Sequence, residues 1–392
     1  MSVDIKALAM AQKDYMIRMR REFHRYPELS NHEFETRKRI VRELESMNVD
    51  YQLLNGTGII AKLEGGHPGK NKVLRADIDA LPIQEADENL KGPKETVSEN
   101  DGVSHACGHD AHMAMMLGTI KALLTVREHI EGTVYCCFEE AEENGGGIET
   151  MMRALEPLAI DECFALHVDP DIQAGKINLE AGPRVAGSIG ISIELEGKAG
   201  HGSRPDHAIN PIVPAAHIIA NVDSALRNQL NVEDTVTLSF GRLTAGDSYN
   251  SIPNRAILEG SARFFDETEG MKAFEIINRC AENIAEIHKC GVSFGSLHRL
   301  GVMPVVNDAD VVDRVGREML DTWDESVLEP RDKWYASETF SRYVSTYKGA
   351  MGFLGVGNPA AGFGGALHNA EFDLDEDALP LGCSAELSFV LS

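Results

Sequence analysis

The chain has 392 residues, of which 43% are hydrophobic, and carries a formal net charge of −25 at pH 7. That length exceeds what one hydrophobic core organises and suits two domains. So large a negative charge opposes binding to nucleic acid or to an anionic membrane, so neither is an expected partner, and an anionic substrate would need a local cation at its site.

Residues 1–10 lack a basic region followed by an apolar run, and no stretch of the chain approaches the ~20 apolar residues that span a bilayer. The seven cysteines (Cys107, Cys136, Cys137, Cys163, Cys280, Cys290 and Cys383) are odd in number and irregularly spaced. A disulfide framework is therefore not expected, and a cytoplasmic address is.

Apolar residues at helical spacing predict a first helix over residues 4–26, ending before Pro27, and a second over 33–47. Short apolar runs at 58–63, 73–76, 134–138 and 163–166 read as buried strands, with a helical pattern at 111–126 between them. This alternation indicates an α/β sheet with helices on both faces. The character changes near Gly182-Pro183. Residues 188–196 alternate apolar and polar, a helix follows over 211–230 with Asn210 as its cap, and strands at 235–243 and 256–264 precede a helix at 269–288. After Gly291 the α/β pattern returns, with a helix at 308–323 and strands at 350–356 and 385–391. The expected organisation is a larger domain, 1–182 and 291–392, interrupted by a smaller β-α-β-β-α domain at 183–290.

The densest chemical signal is His105-Ala106-Cys107-Gly108-His109-Asp110-Ala111-His112, just before a helix. Thiolate and imidazole suit zinc, cobalt or nickel. In an extended segment Cys107 and His109 would point the same way, and Asp110 would be placed to orient a ligating imidazole. A solvated polar loop, or a Cys107 nucleophile served by a histidine base, are the other readings of this block. The second signal is the run Glu139-Glu140-Ala141-Glu142-Glu143-Asn144-Gly145-Gly146-Gly147, directly after a strand. Acidic runs are usually solvated, which suffices for Glu139 and Glu140. Glu142 and Glu143, however, fall where ligands bind open α/β sheets, beyond the carboxyl ends of strands. Asp77 and His167 occupy the same kind of position. Taken alone, His201 and His368, in glycine-rich settings, read as surface-loop histidines.

With these pieces in order, the chain resembles the metal-dependent amidohydrolases that include auxin–amino-acid conjugate hydrolases, hippurate hydrolases and bacterial aminoacylases. The resemblance runs through Leu74-Arg75-Ala76-Asp77-Ile78-Asp79-Ala80-Leu81-Pro82, the His105–His112 block, Ala141-Glu142-Glu143, Ala165-Leu166-His167, His201, Ser337-Glu338 and Leu367-His368-Asn369-Ala370-Glu371-Phe372. It implies a zinc-exopeptidase-like catalytic domain with a central mixed sheet and an inserted lid that carries a dimer interface. It implies two divalent ions (zinc, manganese, nickel or cobalt) held by Cys107, His109, Glu143, His167 and His368. Glu142 would be the general base, Asp77 would orient a ligand, and His201 would reach the partner's active site to stabilise the developing oxyanion. Asn250 and Arg263 would contact the carboxylate of a small N-acyl amino acid or amide substrate, whose amide bond is cleaved. Glu139-Glu140, Thr339, Ala370 and Asn254 depart from the pattern of many relatives. None is an implied ligand, so substrate preference is what they bear on. The rival functions are a metal-independent thiol hydrolase built on Cys107 and a non-catalytic binding protein on the same scaffold.

Overall fold

The computed structural model describes residues 3–392. The reading of the first ten residues as lacking a leader rests partly on Met1 and Ser2, which lie outside the described residues. The chain divides into two compact units. The first runs to Gly182 and resumes over Val306–Asp332 and Arg342–Ser392; the second comprises Pro183–Val305 and Lys333–Ser341.

In the first unit, helices α1 (Ile5–Met10), α2 (Lys13–Arg25) and α3 (Phe34–Ser46) precede strands β1 (Asp50–Leu53), β2 (Ile59–Glu64) and β3 (His67–Asp77). Then come α4 (His109–Thr125), β4 (Glu131–Glu139), α5 (Ile148–Leu155), β5 (Glu162–Gln173) and β6 (Ile177–Asn178). After the segment Pro183–Val305 of the second unit come α6 (Ala309–Thr322) and, past Ser341, β7 (Lys348–Gly357) and α7 (Leu379–Leu391). Seven strands form one mixed sheet in the order β1-β2-β4-β3-β5-β7-β6. Strands β4, β3, β5 and β7 are parallel neighbours, and their apolar runs are buried on both faces. Because β3 and β4 run in register, Asp77 lies opposite Glu139, so the loops after both strands leave the sheet side by side.

Two expectations for this unit are corrected. The first predicted helix breaks at Ala11–Gln12 into α1 and α2. Residues 385–391, expected as a strand, belong to helix α7, which is buried from Leu379 to Val390. A helix buried all round has no amphipathic period, so an apolar run of that length does not reveal its type.

In the second unit, strands Val236–Ala245, Arg255–Phe264, Gly187–Glu196 and Gly291–Phe294 form an antiparallel sheet in that order. Helices Ile212–Arg227 and Glu267–Ile287 pack against it and one another around a separate apolar core. This sheet continues past residue 290, because Gly291–Phe294 and Arg299–Leu300 both pair with Gly187–Glu196. Among the described residues, no helix is long and apolar enough to cross a membrane.

Candidate metal centre

Four loops and strands of the first unit deliver the sulfur, nitrogen and oxygen atoms of the centre. Gly108 precedes α4 in the left-handed conformation, φ +80°, and a side chain there would run into Val168. The turn is therefore not the extended segment expected from the spacing of Cys107 and His109. It places Cys107 ahead of the helix and His109 in its first turn, both buried. Ala141, also left-handed at φ 52°, turns the chain after β4, so that Glu142 and Glu143 open a short helical turn. His167 lies within β5, which runs on to Gln173 rather than ending at 166. His368 has φ 59° and is held by its N–H donating to Ala106 O at 2.8 Å.

The five expected ligand side chains converge. Cys107 Sγ lies 3.5 Å from His167 Nε2 and 3.3 Å from His368 Nε2. Glu143 Oε1 lies 3.7 Å from His109 Nε2 and 3.4 Å from His368 Nε2. Cys107, His109 and His167 form one trio with ligand atoms mutually within 4.8 Å, and Cys107, Glu143 and His368 form another, so the sulfur is common to both. Glu142 groups with His109 and Glu143 in the same way.

The imidazoles present the correct nitrogens. His109 Nδ1–H donates to Asp79 O at 2.9 Å and His167 Nδ1–H donates to Val168 O at 2.8 Å, which leaves each Nε2 as a lone-pair donor facing the centre. His109 Nε2 and Glu143 Oε1 are buried without a hydrogen-bond partner. Buried polar atoms normally have one. A thiol, three imidazoles and a carboxylate form a set that borderline divalent ions accept, so the residues present fit such a group.

The surroundings are built around Asp77 and Asp79. His112 Nδ1–H donates to Asp77 Oδ1 at 2.6 Å, while Val168 N–H donates to His112 Nε2 at 3.0 Å. Both nitrogens of His112 are thus engaged in holding Asp77 and β5, a role the sequence reading missed although His112 sits one helical turn from His109. Arg75 Nη1 donates to the other oxygen of Asp77 at 2.7 Å. Although burial opposes ionisation, His109, His112 and Arg75 hold the Asp77 carboxyl well below the usual carboxylate range. Asp79 Oδ2 accepts from Ser30 Oγ at 2.6 Å and from Glu143 N–H at 3.1 Å, tying the two acidic loops together.

Three sequence expectations change here. Asp110 does not orient a ligating imidazole; it bonds His24 Nδ1 at 2.8 Å and pairs with Arg20 Nε at 2.8 Å. Glu139 and Glu140 are not solvated but 0% and 6% exposed. Glu139 Oε2 accepts from Arg75 Nε at 3.0 Å and from Tyr343 OH at 2.9 Å. A charged residue inside the apolar run Val73–Ala76 was the available signal, because a buried arginine requires acidic partners.

His201, Asn250 and Arg263 belong to the second unit. His201 and Ser251 pair across a two-stranded ladder, which makes Asn250 a near neighbour of His201. Ser203 N–H donates to His201 Nδ1 at 3.2 Å, so the ring proton resides on Nε2. Arg263 Nε donates to Tyr335 O at 3.2 Å.

Residues 73–392 match Peptidase family M20/M25/M40. The chain is 33% identical over 390 residues to N-acetylcysteine deacetylase of Bacillus subtilis, covering 97% of this chain and 99% of that protein. It is 32% identical over 380 residues to thermostable carboxypeptidase 1 of Saccharolobus solfataricus, covering 95% of this chain and 94% of that protein. Its fold is similar, with a TM-score of 0.83 at 31% identity, to the crystal structure of a dinuclear metal-binding peptidase of the M20 family from Bacillus subtilis, covering 97% of this chain and 98% of that one. The chain belongs to peptidase family M20/M25/M40, and it is a hydrolase with a mixed α/β fold.

Proposed function

We propose that the protein is a two-metal amidohydrolase that cleaves the amide bond of an N-acyl amino acid or a similar small amide. The convergence of Cys107, His109, Glu143, His167 and His368, with two buried ligating atoms left unpartnered, carries this reading. It draws support from relatives whose names include N-acetylcysteine deacetylase and N-acyl-L-amino acid amidohydrolase. Bound to these residues, divalent ions such as zinc, manganese, nickel or cobalt would polarise the amide carbonyl and acidify the attacking water. Cys107 is the residue common to both ligand trios. Glu142 takes the proton of the attacking water and returns it to the leaving nitrogen. Asp77, whose Oδ1 lies 3.7 Å from His109 Nδ1, orients that ligand by its charge, while Asp79 O accepts the Nδ1–H. His201, protonated on Nε2, reaches from one protomer of a dimer to the other's active site and donates there to the developing oxyanion, and Asn250 and Arg263 contact the substrate carboxylate. Arg263 is the local cation that a chain of net charge −25 needs for an anionic substrate. The second unit is the lid and the dimer interface, with Val236–Ala245 as the edge strand of its sheet.

Glu142→Ala is expected to lower kcat on N-acetyl amino acids by about 10²–10⁴-fold while the metal content, measured by atomic emission, stays that of the parent. Turnover that survives the substitution would refute the assignment. The thiol-hydrolase alternative on Cys107 is separated by dialysis against a chelator, which would leave a metal-independent enzyme active.

A further inference from the structure

Behind Glu142 and Glu143 lies a cluster of acids that the chemistry above does not use. Glu33, at the start of α3, and Glu140, at the end of β4, are 0% and 6% exposed, and both reach Thr57 in the loop between β1 and β2. Thr57 Oγ1 lies 2.6 Å from Glu33 Oε2 and 2.8 Å from Glu140 Oε2. A hydroxyl has one proton to give, so it cannot satisfy two carboxylates at once. Two ionised oxygens at those distances would leave one contact as a buried repulsion.

The remaining bonds locate the missing proton. Glu140 Oε2 also accepts from the N–H groups of Thr57 and, at 2.8 Å, of Gly58, which marks it as the charged acceptor. Glu33 divides its two oxygens. Oε1 accepts from Asn31 N–H at 3.0 Å and Ala141 N–H at 2.8 Å, as a carbonyl oxygen does, and Oε2 faces the hydroxyl of Thr57. Burial pushes the Glu33 carboxyl up and outweighs the hydrogen bonds from Thr57, from its own N–H and from Ala141 N–H that favour the ionised form, and the charge of Asp79 adds to the upward shift. Gly56, whose φ is +115°, leaves the room that the Glu140 carboxylate fills.

We propose that Glu33 is a positioning residue held as the neutral acid: its O–H donates to Thr57 Oγ1, Thr57 donates on to the Glu140 carboxylate, and Glu33 Oε1 fixes the Ala141 N–H. Ala141 is the link to the reaction. Its left-handed backbone, φ 52° and ψ 42°, is strained for a non-glycine residue and must be held from outside. Glu33 holds its N–H, and Gly146 N–H holds its carbonyl at 3.0 Å. Glu142 and Glu143 follow immediately, so their direction is set by this residue. The inference rests on the roles proposed above for Glu142 and Glu143.

Glu33→Gln copies the neutral acid, with an amide N–H in place of the O–H, whereas Glu33→Ala removes both bonds. In infrared difference spectra at pH 7, parent minus Glu33→Gln is expected to show a protonated-carboxyl C=O band. Glu33→Gln is expected to stay within about 3-fold of the parent in zinc affinity, measured by chelator competition, and in kcat, whereas Glu33→Ala loses about 10- to 100-fold in kcat at nearly constant KM. Absence of the band, or a Glu33→Gln protein as impaired as Glu33→Ala, overturns the proposal. If Glu33→Ala does not fold, the band and the Glu33→Gln protein still decide. A parent protein that neither binds zinc nor hydrolyses amides would instead overturn the functional reading, and the infrared band would be unaffected by that outcome.

Discussion

At Glu139 a carboxylate without solvent exposure meets Arg75 and Tyr343, and Arg75 in turn grips Asp77. The chain thus joins the end of β4 to Asp77, the acid that accepts from His112 Nδ1–H. The sequence displayed both ends of this connection, an arginine within an apolar strand and an acid after the next, but their adjacency is a property of sheet order. Cys107 and His109 stood out because soft donors clustered in one block are rare, whereas His368 read alone as a surface-loop histidine and joined the proposed set only through the family resemblance; the bonds that orient the imidazoles of His109 and His167 go to the main-chain carbonyls of Asp79 and Val168, which no residue type signals. Removing one partner from a buried ion pair leaves an uncompensated charge and typically costs about 3–5 kcal/mol. Glu139→Ala is accordingly expected to destabilise the protein by about that much in urea unfolding, with a loss of activity that follows from the release of Arg75. A surface acid would give a change within about 0.5 kcal/mol, so a result that small would contradict the buried role.

Helix α7 carries the clearest case of an element that local pattern does not reveal. Apolar residues on every side made its second half look like a strand, and what fixes it as a helix is enclosure by α1, α4 and α6. Inside that enclosure sits Glu386, fully buried, with Thr119 Oγ1 2.5 Å from its Oε2. Burial pushes the Glu386 carboxyl up to about 8 from an ordinary value of 4.5. Between these two values the folded protein keeps a proton that the unfolded chain releases, so stability falls as pH rises. The contribution is complete below pH 4.5 and is lost as pH passes through about 8. At about 1.36 kcal/mol per pH unit, the loss reaches roughly 4–5 kcal/mol. Glu386→Gln keeps an acceptor for Thr119 and has nothing to ionise. Its advantage over the parent is expected to grow from pH 6 to pH 9 by about 3 kcal/mol, read from urea unfolding at each pH. Parallel pH profiles for the two proteins would show that Glu386 is not the neutral acid described.

Two apolar cores, one in each unit, follow from a chain too long for a single core, and the change of pattern at Gly182-Pro183 was visible before any coordinates. The far boundary was less legible, since strands Gly291–Phe294 and Arg299–Leu300 are short and belong to the second sheet only through pairing with Gly187–Glu196. All five proposed metal ligands lie in the first unit. A ligand that binds only the folded state stabilises what it binds by RT ln(1 + [L]/Kd), about 4 kcal/mol at a thousandfold excess over Kd. Metal removal should therefore act on one core and not the other. In scanning calorimetry of the whole protein, chelation is expected to lower the temperature of one transition by several degrees while a second transition, from the core of Ile189, Ile193, Leu258 and Ile277, stays in place. Restoring zinc should bring the first transition back. Equal displacement of both transitions would mean that the two cores unfold as one cooperative unit, and no displacement would mean that the five side chains hold no ion.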